Sequence, residues 1–330
     1  GPDAGRAPAM SRPPTPPAVR LVAPPEQDGA RIDQFLAAAT ALSRRACRSL
    51  VAAGAVLRNG EVLRVQSRTV VPGDVIDVLR PADELGVPAR PSLPLPVILF
   101  EDAWLLIVDK PAWVLSQPAE TADEGELAIE QQLLLALAAR EGRRPFLRLV
   151  HRLDRATSGA VLFARKEQAL PRLAASWRSG EVDRRYLAVV AGDPELDQLE
   201  VDRPIGRDRA HRWRFQVDPA GRPARTTIRV LVRHAAGTAL VECRLLTGRT
   251  HQVRVHLAAV GLPVVGDRLY GAPPRPAAAR PLLHAAGLEL PHPGDGRRLR
   301  IESPPPADFA PYLEAGVGTS GRGGNYRAPG

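Results

Sequence analysis

The nine residues His151-Arg152-Leu153-Asp154-Arg155-Ala156-Thr157-Ser158-Gly159 constrain this chain more than any other stretch. They set one carboxylate among basic and small polar residues, directly ahead of the apolar run Ala160-Val161-Leu162-Phe163-Ala164. A short apolar run bounded by turn residues reads as a buried strand. Thr157 and Ser158 can tie the backbone into a fixed turn through local side-chain bonds, and Gly159 reaches conformations closed to other residues. Asp154 is thus presented from a rigid loop at the start of a strand, where a single reacting group can be held in place. A surface turn carrying an Asp and an Arg is the plain alternative for any short match. Nine residues in this order are much more specific.

The segment resembles the central motif HRLDxxTSG of the RluA-type RNA pseudouridine synthases and agrees with it at every fixed position. Further islands follow in the family's order. They are Arg185-Tyr186-Leu187-Ala188, the run from Leu246 to His256, then Gly261, Pro263, Gly266-Asp267, Tyr270-Gly271, Leu282-Leu283-His284-Ala285 and His292-Pro293. Together they span residues 97 to 305 in round terms. The resemblance implies an α+β catalytic domain with a largely antiparallel mixed sheet, and isomerisation of uridine to pseudouridine within RNA. Asp154 is then the catalytic aspartate, and Arg254 is its partner. Arg249 is the weaker candidate for that pairing and the better one for a phosphate contact. Tyr186 lies against the target base by the same resemblance; without the motif it reads as a core tyrosine of an alternating strand. Arg152 resembles the family's Arg that enters the RNA stack as the uridine leaves it. His251 and Lys110 are further expected RNA contacts.

That isomerisation moves no electron and expels no group, so neither a redox cofactor nor a metal is expected. His251 and His256 stand five apart, on poorly matched helix faces, with no Cys or carboxylate to complete a metal set. A desolvated Asp154 needs a cation to stay charged, a role that the resemblance gives to Arg254. Two other readings compete. A hydrolase using an Asp nucleophile needs a second base or a metal, and the sequence offers neither. A noncatalytic RNA-binding or ribosome-assembly factor on the same fold is disfavoured by the intact set of Asp154, Tyr186 and Arg254. One stretch departs from the family, which commonly has Lys-Pro-x-Gly and then a His. Here Lys110 and Pro111 are kept, but Trp113 replaces the Gly and Gln117 stands where the His is common.

At 330 residues the chain is long for one domain and suggests two. Residues 1–27 hold Pro at eight positions and read as a disordered arm. In residues 28–82, Ile32, Phe35, Leu36 and Ala39 form a helical stripe, and Ser43 caps a second helix, Arg44 to Ala53. Asn59-Gly60 marks a hairpin turn, and Asp74 to Val78 a strand. Arg31-Ile32-Asp33, Ser43-Arg44, Asn59-Gly60 and Pro72-Gly73-Asp74 make this region similar to an S4 RNA-binding domain. Arg44, Arg45 and Arg48 form its expected phosphate-binding ridge. A Pro-rich linker, residues 83–96, leads into the catalytic domain, residues 97–315, and a flexible tail, residues 316–330.

Lys and Arg exceed Asp and Glu by 45 − 36 = 9, which favours a polyanionic partner. All but Lys110 and Lys166 of these cations are Arg, suited to bidentate phosphate bonding. The partner expected is RNA, with ribosomal RNA favoured over transfer RNA because an S4 domain ahead of the catalytic domain resembles enzymes of the large ribosomal subunit. Cys47 and Cys243 fit no metal spacing and read as small buried hydrophobes. With no bilayer span or leader in sight, a cytoplasmic monomer is expected.

Overall fold

The computed structural model describes residues 19–79, 96–119, 126–211, 213–271 and 278–314. Its contacts divide into two compact units, residues 1–93 with 134–145, and residues 94–133 with 146–330. The linker at 83–95, the tail at 316–330 and the arm up to residue 18 lie outside the described residues.

The first unit contains a four-stranded antiparallel sheet of β1 (Val19–Val22), β2 (Val56–Arg58), β3 (Glu61–Val62) and β4 (Val75–Val78), ordered β1-β4-β2-β3. Helices Ile32–Ala39 and Arg44–Ala52 contribute Ile32, Phe35, Leu36, Cys47 and Val51 to one core with Val56, Ile76 and Val78. This is the helical stripe read from the sequence. Ser43 caps the second helix, its Oγ accepting from the Ala46 amide at 3.3 Å. The hairpin turn has both central residues at positive φ, Asn59 at 52° and Gly60 at 88°, the twist that suits a two-residue loop.

The arm reading is corrected at its C-terminal end. Residues Val19–Val22 pair with β4 as an edge strand, and Pro25–Gln27 form a 3-10 turn. Proline density suggested disorder, but the stretch between Pro17 and Pro24 has none. It alternates buried Val19 and Leu21 with Arg20, whose Nε donates to Asp77 at 2.7 Å.

The second unit is built on a ten-stranded sheet. Its spine runs β10 (Gln198–Asp202), β13 (Arg225–His234), β14 (Thr238–Leu245), β9 (Asp183–Ala191), β15 (Leu283–Pro291), β8 (Ser158–Ala164), β6 (Leu105–Lys110) and β5 (Val97–Glu101). Every pairing is antiparallel except β15 with β8. Helices Ala169–Ser179 and Gln252–Ala259 complete an α+β architecture. The central strands are apolar because they are covered on both faces: β8 is buried along its whole length, from Ser158 to Ala164. Leu105, Ile107, Leu162 and Leu288 form one core cluster, and Leu187, Val189, Leu240 and Ala286 another. Cys243 is buried and unpaired, as is Cys47. No helix among the described residues is long and apolar enough to cross a membrane.

Gly159 explains why the strand can start where it does. A β-carbon there would lie 2.3 Å from the Ala285 carbonyl oxygen, and its φ is 118°. Only glycine permits that approach of β8 to β15.

Candidate active site

Asp154 sits in the loop that enters β8, and side chains from distant parts of the second unit hold that loop's backbone. Ser116 Oγ donates to the Leu153 carbonyl at 2.8 Å and accepts from the Leu153 amide at 3.0 Å. Lys110 Nζ donates to the Arg155 carbonyl at 3.2 Å, and Arg280 Nη1 to the Ala156 carbonyl at 3.1 Å. The Thr157 amide closes the turn on the Asp154 carbonyl at 3.0 Å. Ser158 does not make the local bond its sequence suggested. Its hydroxyl meets His284 Nδ1 at 2.9 Å, while His284 Nε2 faces the Ser303 carbonyl at 3.0 Å. That carbonyl can only accept, so the imidazole proton lies on Nε2 and Ser158 donates.

Arg254 reaches Asp154 from the helix Gln252–Ala259. Its Nη1 stands 3.1 Å from Asp154 Oδ2, and its Nε and Nη2 bond Asp267 at 2.7 and 2.9 Å. Burial by itself lowers the Arg254 pKa; the hydrogen bond and charge of Asp267, joined by Asp154, outweigh it and raise the value above normal. The guanidinium is therefore a permanent cation beside a carboxylate whose side chain is 27% exposed. Arg249, the other candidate, instead donates through Nε to the Pro223 carbonyl at 2.9 Å.

Tyr186, on β9, is buried beside them. Burial, opposed by Arg184 and helped by Asp154, pushes its hydroxyl up to about 12, so it stays protonated at neutral pH. His251 precedes the helix with φ at 57°, a left-handed conformation. Its Nε2 is 3.7 Å from Asp154 Oδ2, and its Nδ1 is 2.8 Å from Tyr270 Oη. Tyr270 Oη already accepts from the Phe215 amide at 2.9 Å. Its own proton is then directed at His251 Nδ1, leaving the imidazole proton on Nε2, toward Asp154. Burial lowers the His251 pKa against the pull of Asp154, which favours this neutral form.

Asp154, Tyr186, His251 and Arg254 line a pocket of 880 Å³ with Arg152, Arg178, Arg184, Arg249 and Trp177. Asp154 is the sole carboxylate among the lining residues. Arg184 is pinned through Nη2 to the Leu245 and Thr247 carbonyls at 3.2 and 3.0 Å, while its buried Nε has no partner. A cavity so lined favours an anionic ligand.

Lys110 requires a correction. Expected as an RNA contact, it is fully buried, and its Nζ also bonds the Pro111 and Val114 carbonyls at 2.9 and 2.8 Å. Burial, partly offset by Asp154, pulls its pKa down to about 7. It braces the loop and has no surface to offer a phosphate. Of the remaining expected contacts, Arg152 is exposed on the pocket, Arg249 and His251 line it half-buried, and Arg44, Arg45 and Arg48 are exposed in the first unit. There Arg31 and Arg44 stand 3.2 Å, and Arg48 3.9 Å, from the buried carboxylate of Asp33. Asp267, Tyr270, Arg184, Arg280 and Ser116 join the site without having been singled out. Asp267 and Tyr270 fall in sequence islands that resemble the family, which was the available signal.

The sequence profile of RNA pseudouridylate synthase matches residues 104–259, and that of the S4 domain matches residues 30–76. The ribosomal large subunit pseudouridine synthase D of Nitrosomonas europaea is 44% identical over 226 residues, 66% of this chain and 64% of that protein. The match therefore spans just under two thirds of that relative's length. The protein of the same name from Xanthomonas campestris is 35% identical over 90% of this chain and 92% of its own length. Among solved structures, human RNA pseudouridylate synthase domain containing 1 superposes with a TM-score of 0.53 at 28% identity, over 66% of this chain and 86% of that one.

Proposed function

The chain belongs to the RNA pseudouridylate synthase family, and from that premise we propose that it isomerises uridine to pseudouridine in large-subunit ribosomal RNA, with Asp154 as the catalytic aspartate. The observation that carries the reading is the ion-paired Asp154–Arg254–Asp267 row beside Tyr186 at an arginine-lined pocket. The reaction breaks the bond from ribose C1′ to N1, turns the base, and joins C1′ to C5. The hydrogen leaves C5 and N1 gains one, so nothing is consumed or released. Asp154, half-shielded, is the group that attacks or deprotonates, and the Arg254 guanidinium 3.1 Å away is the fixed positive charge beside it. Tyr186 offers a ring against the freed base and a protonated hydroxyl for proton transfer. A uridine in a helix cannot reach so recessed a carboxylate, so it is flipped out, and Arg152 is placed to fill the gap in the stack. The ribosomal target follows the two relatives named for the large subunit.

The test maps pseudouridine in large-subunit RNA from cells that lack the protein, complemented with the parent or with Asp154→Ala. The parent restores specific pseudouridines and the variant restores none. Equal maps for both would favour a noncatalytic RNA-binding factor.

A further inference from the structure

We propose that Trp113 is a stacking platform for an unpaired nucleobase of the RNA substrate, set at the rim of the Asp154 pocket; this rests on the RNA-modifying reading above. Trp113 has φ at 69°, one of three non-glycine residues at positive φ among those described. A bulky side chain is strained there, and such strain persists only where the surroundings impose it. They do so here. Lys110 Nζ bonds the carbonyls of Pro111 and Val114, on either side of the Ala112-Trp113 pair. The Ile129 amide fixes the next carbonyl, that of Leu115, at 2.8 Å.

Packing does not account for the tryptophan. The residue is 52% exposed, and it belongs to none of the hydrophobic clusters or ring pairs among the described residues. A strained backbone that presents a large apolar ring to solvent is unfavourable twice over for the free protein. Its position supplies the use. The Trp113 carbonyl is 3.4 Å from Nε of Arg155, the neighbour of Asp154, and Leu115, Ser116 and Gln117 go on to line the pocket. The same pocket is lined by the cationic side chains of Arg152, Arg178 and Arg249. Arginines that take phosphates beside an aromatic face that takes a base are the combination single-stranded nucleic acid requires. The occupant is a base next to the target uridine, held while the uridine enters the pocket. Stacking tolerates any base, so the contact strengthens binding without reading sequence.

The experiment titrates the full-length protein with a single-stranded oligouridylate across a salt series, for the parent and for Trp113→Phe, Trp113→Leu and Trp113→Gly. Phe keeps affinity within about threefold, whereas Leu and Gly each lose about tenfold or more, the range for one stacked base. The slope of log affinity against log salt stays the same in all four, because every phosphate keeps its cation. Trp113→Gly relaxes the backbone, so misfolding is no escape, and its thermal midpoint is read alongside. Gly binding as tightly as Trp, Leu matching Trp, or a changed salt slope would each overturn the proposal. Pseudouridine formation by the parent is scored separately. Its absence would remove the enzymatic reading while the binding series still decides the role of Trp113.

Discussion

Arg254 meets Asp154 with a single guanidinium nitrogen, 3.1 Å from Oδ2, because its other donors are already committed to Asp267. The cation next to the Asp154 carboxylate is thus positioned by a second carboxylate that is 1% exposed and is not among the residues lining the pocket. Arg254 by itself is a long, flexible side chain. Paired with Asp267, it is a fixed part of the site.

Replacing Asp267 with Ala should therefore damage both stability and activity. The Arg254 charge would stay buried without one of its two carboxylates, a situation that costs about 3–5 kcal/mol. Asp267→Asn keeps one acceptor and should unfold less readily, yet still lower kcat more than it raises KM. Urea denaturation with steady-state kinetics on the same preparations checks this; unchanged kcat in a folded Asp267→Asn protein would show that Arg254 needs no second anchor.

Lys110 makes stability depend on pH in a defined window. Its folded value of about 7 lies below the free value of 10.5. Between those values the unfolded chain holds more protons than the folded one, so this group makes stability rise with pH. Below pH 7 both forms are charged and the contribution is absent. The stability of the parent relative to Lys110→Met should accordingly grow from pH 7 to pH 10. Activity should move the other way. The ammonium has three N–H donors for the Pro111, Val114 and Arg155 carbonyls, and loss of its proton leaves one unserved and the Asp154 loop looser. Denaturation midpoints and kcat across that range, for parent and variant, measure both effects.

In the first unit, Asp33 gathers Arg31, Arg44 and Arg48 around one buried carboxylate, leaving a net positive face. Changing Arg44 and Arg48 together to Ala should weaken RNA binding and flatten the salt slope by about 2, one for each phosphate that is no longer neutralised. The turnover number at saturating RNA should hold. A salt slope equal to the parent's would show that this face does not carry phosphate.

The residues proposed to act on the substrate were the most legible in the sequence. Asp154, Tyr186 and Arg254 stand in short runs that resemble the family's motifs, and the structure brings all three to one pocket. Their supports were much harder to see. Asp267 is one acidic residue in a turn, and nothing near it in sequence names Arg254 as its partner. Lys110 is kept from the family pattern, yet a lysine's burial depends on which strands close over it. The β1 strand was hidden because Pro24 and Pro25 dominate the local composition, while Val19 and Leu21 gain their meaning only once β4 is beside them. Trp113 was visible as a departure from the resembling pattern, but its left-handed backbone depends on the bonds that Lys110 makes in the folded chain.

The parallel pairing of β8 with β15 sets an order of events during synthesis. Every side chain assigned to the chemistry has been made once residue 254 is joined. The aspartate loop, however, is braced by Arg280, by His284 opposite Ser158, and by the Ser303 carbonyl behind that histidine. A nascent chain that stops short of β15 would hold all its reacting groups and no working arrangement of them. Competence arrives with the last strands, so an enzyme emerging among RNA molecules would stay silent until nearly its whole catalytic unit is complete.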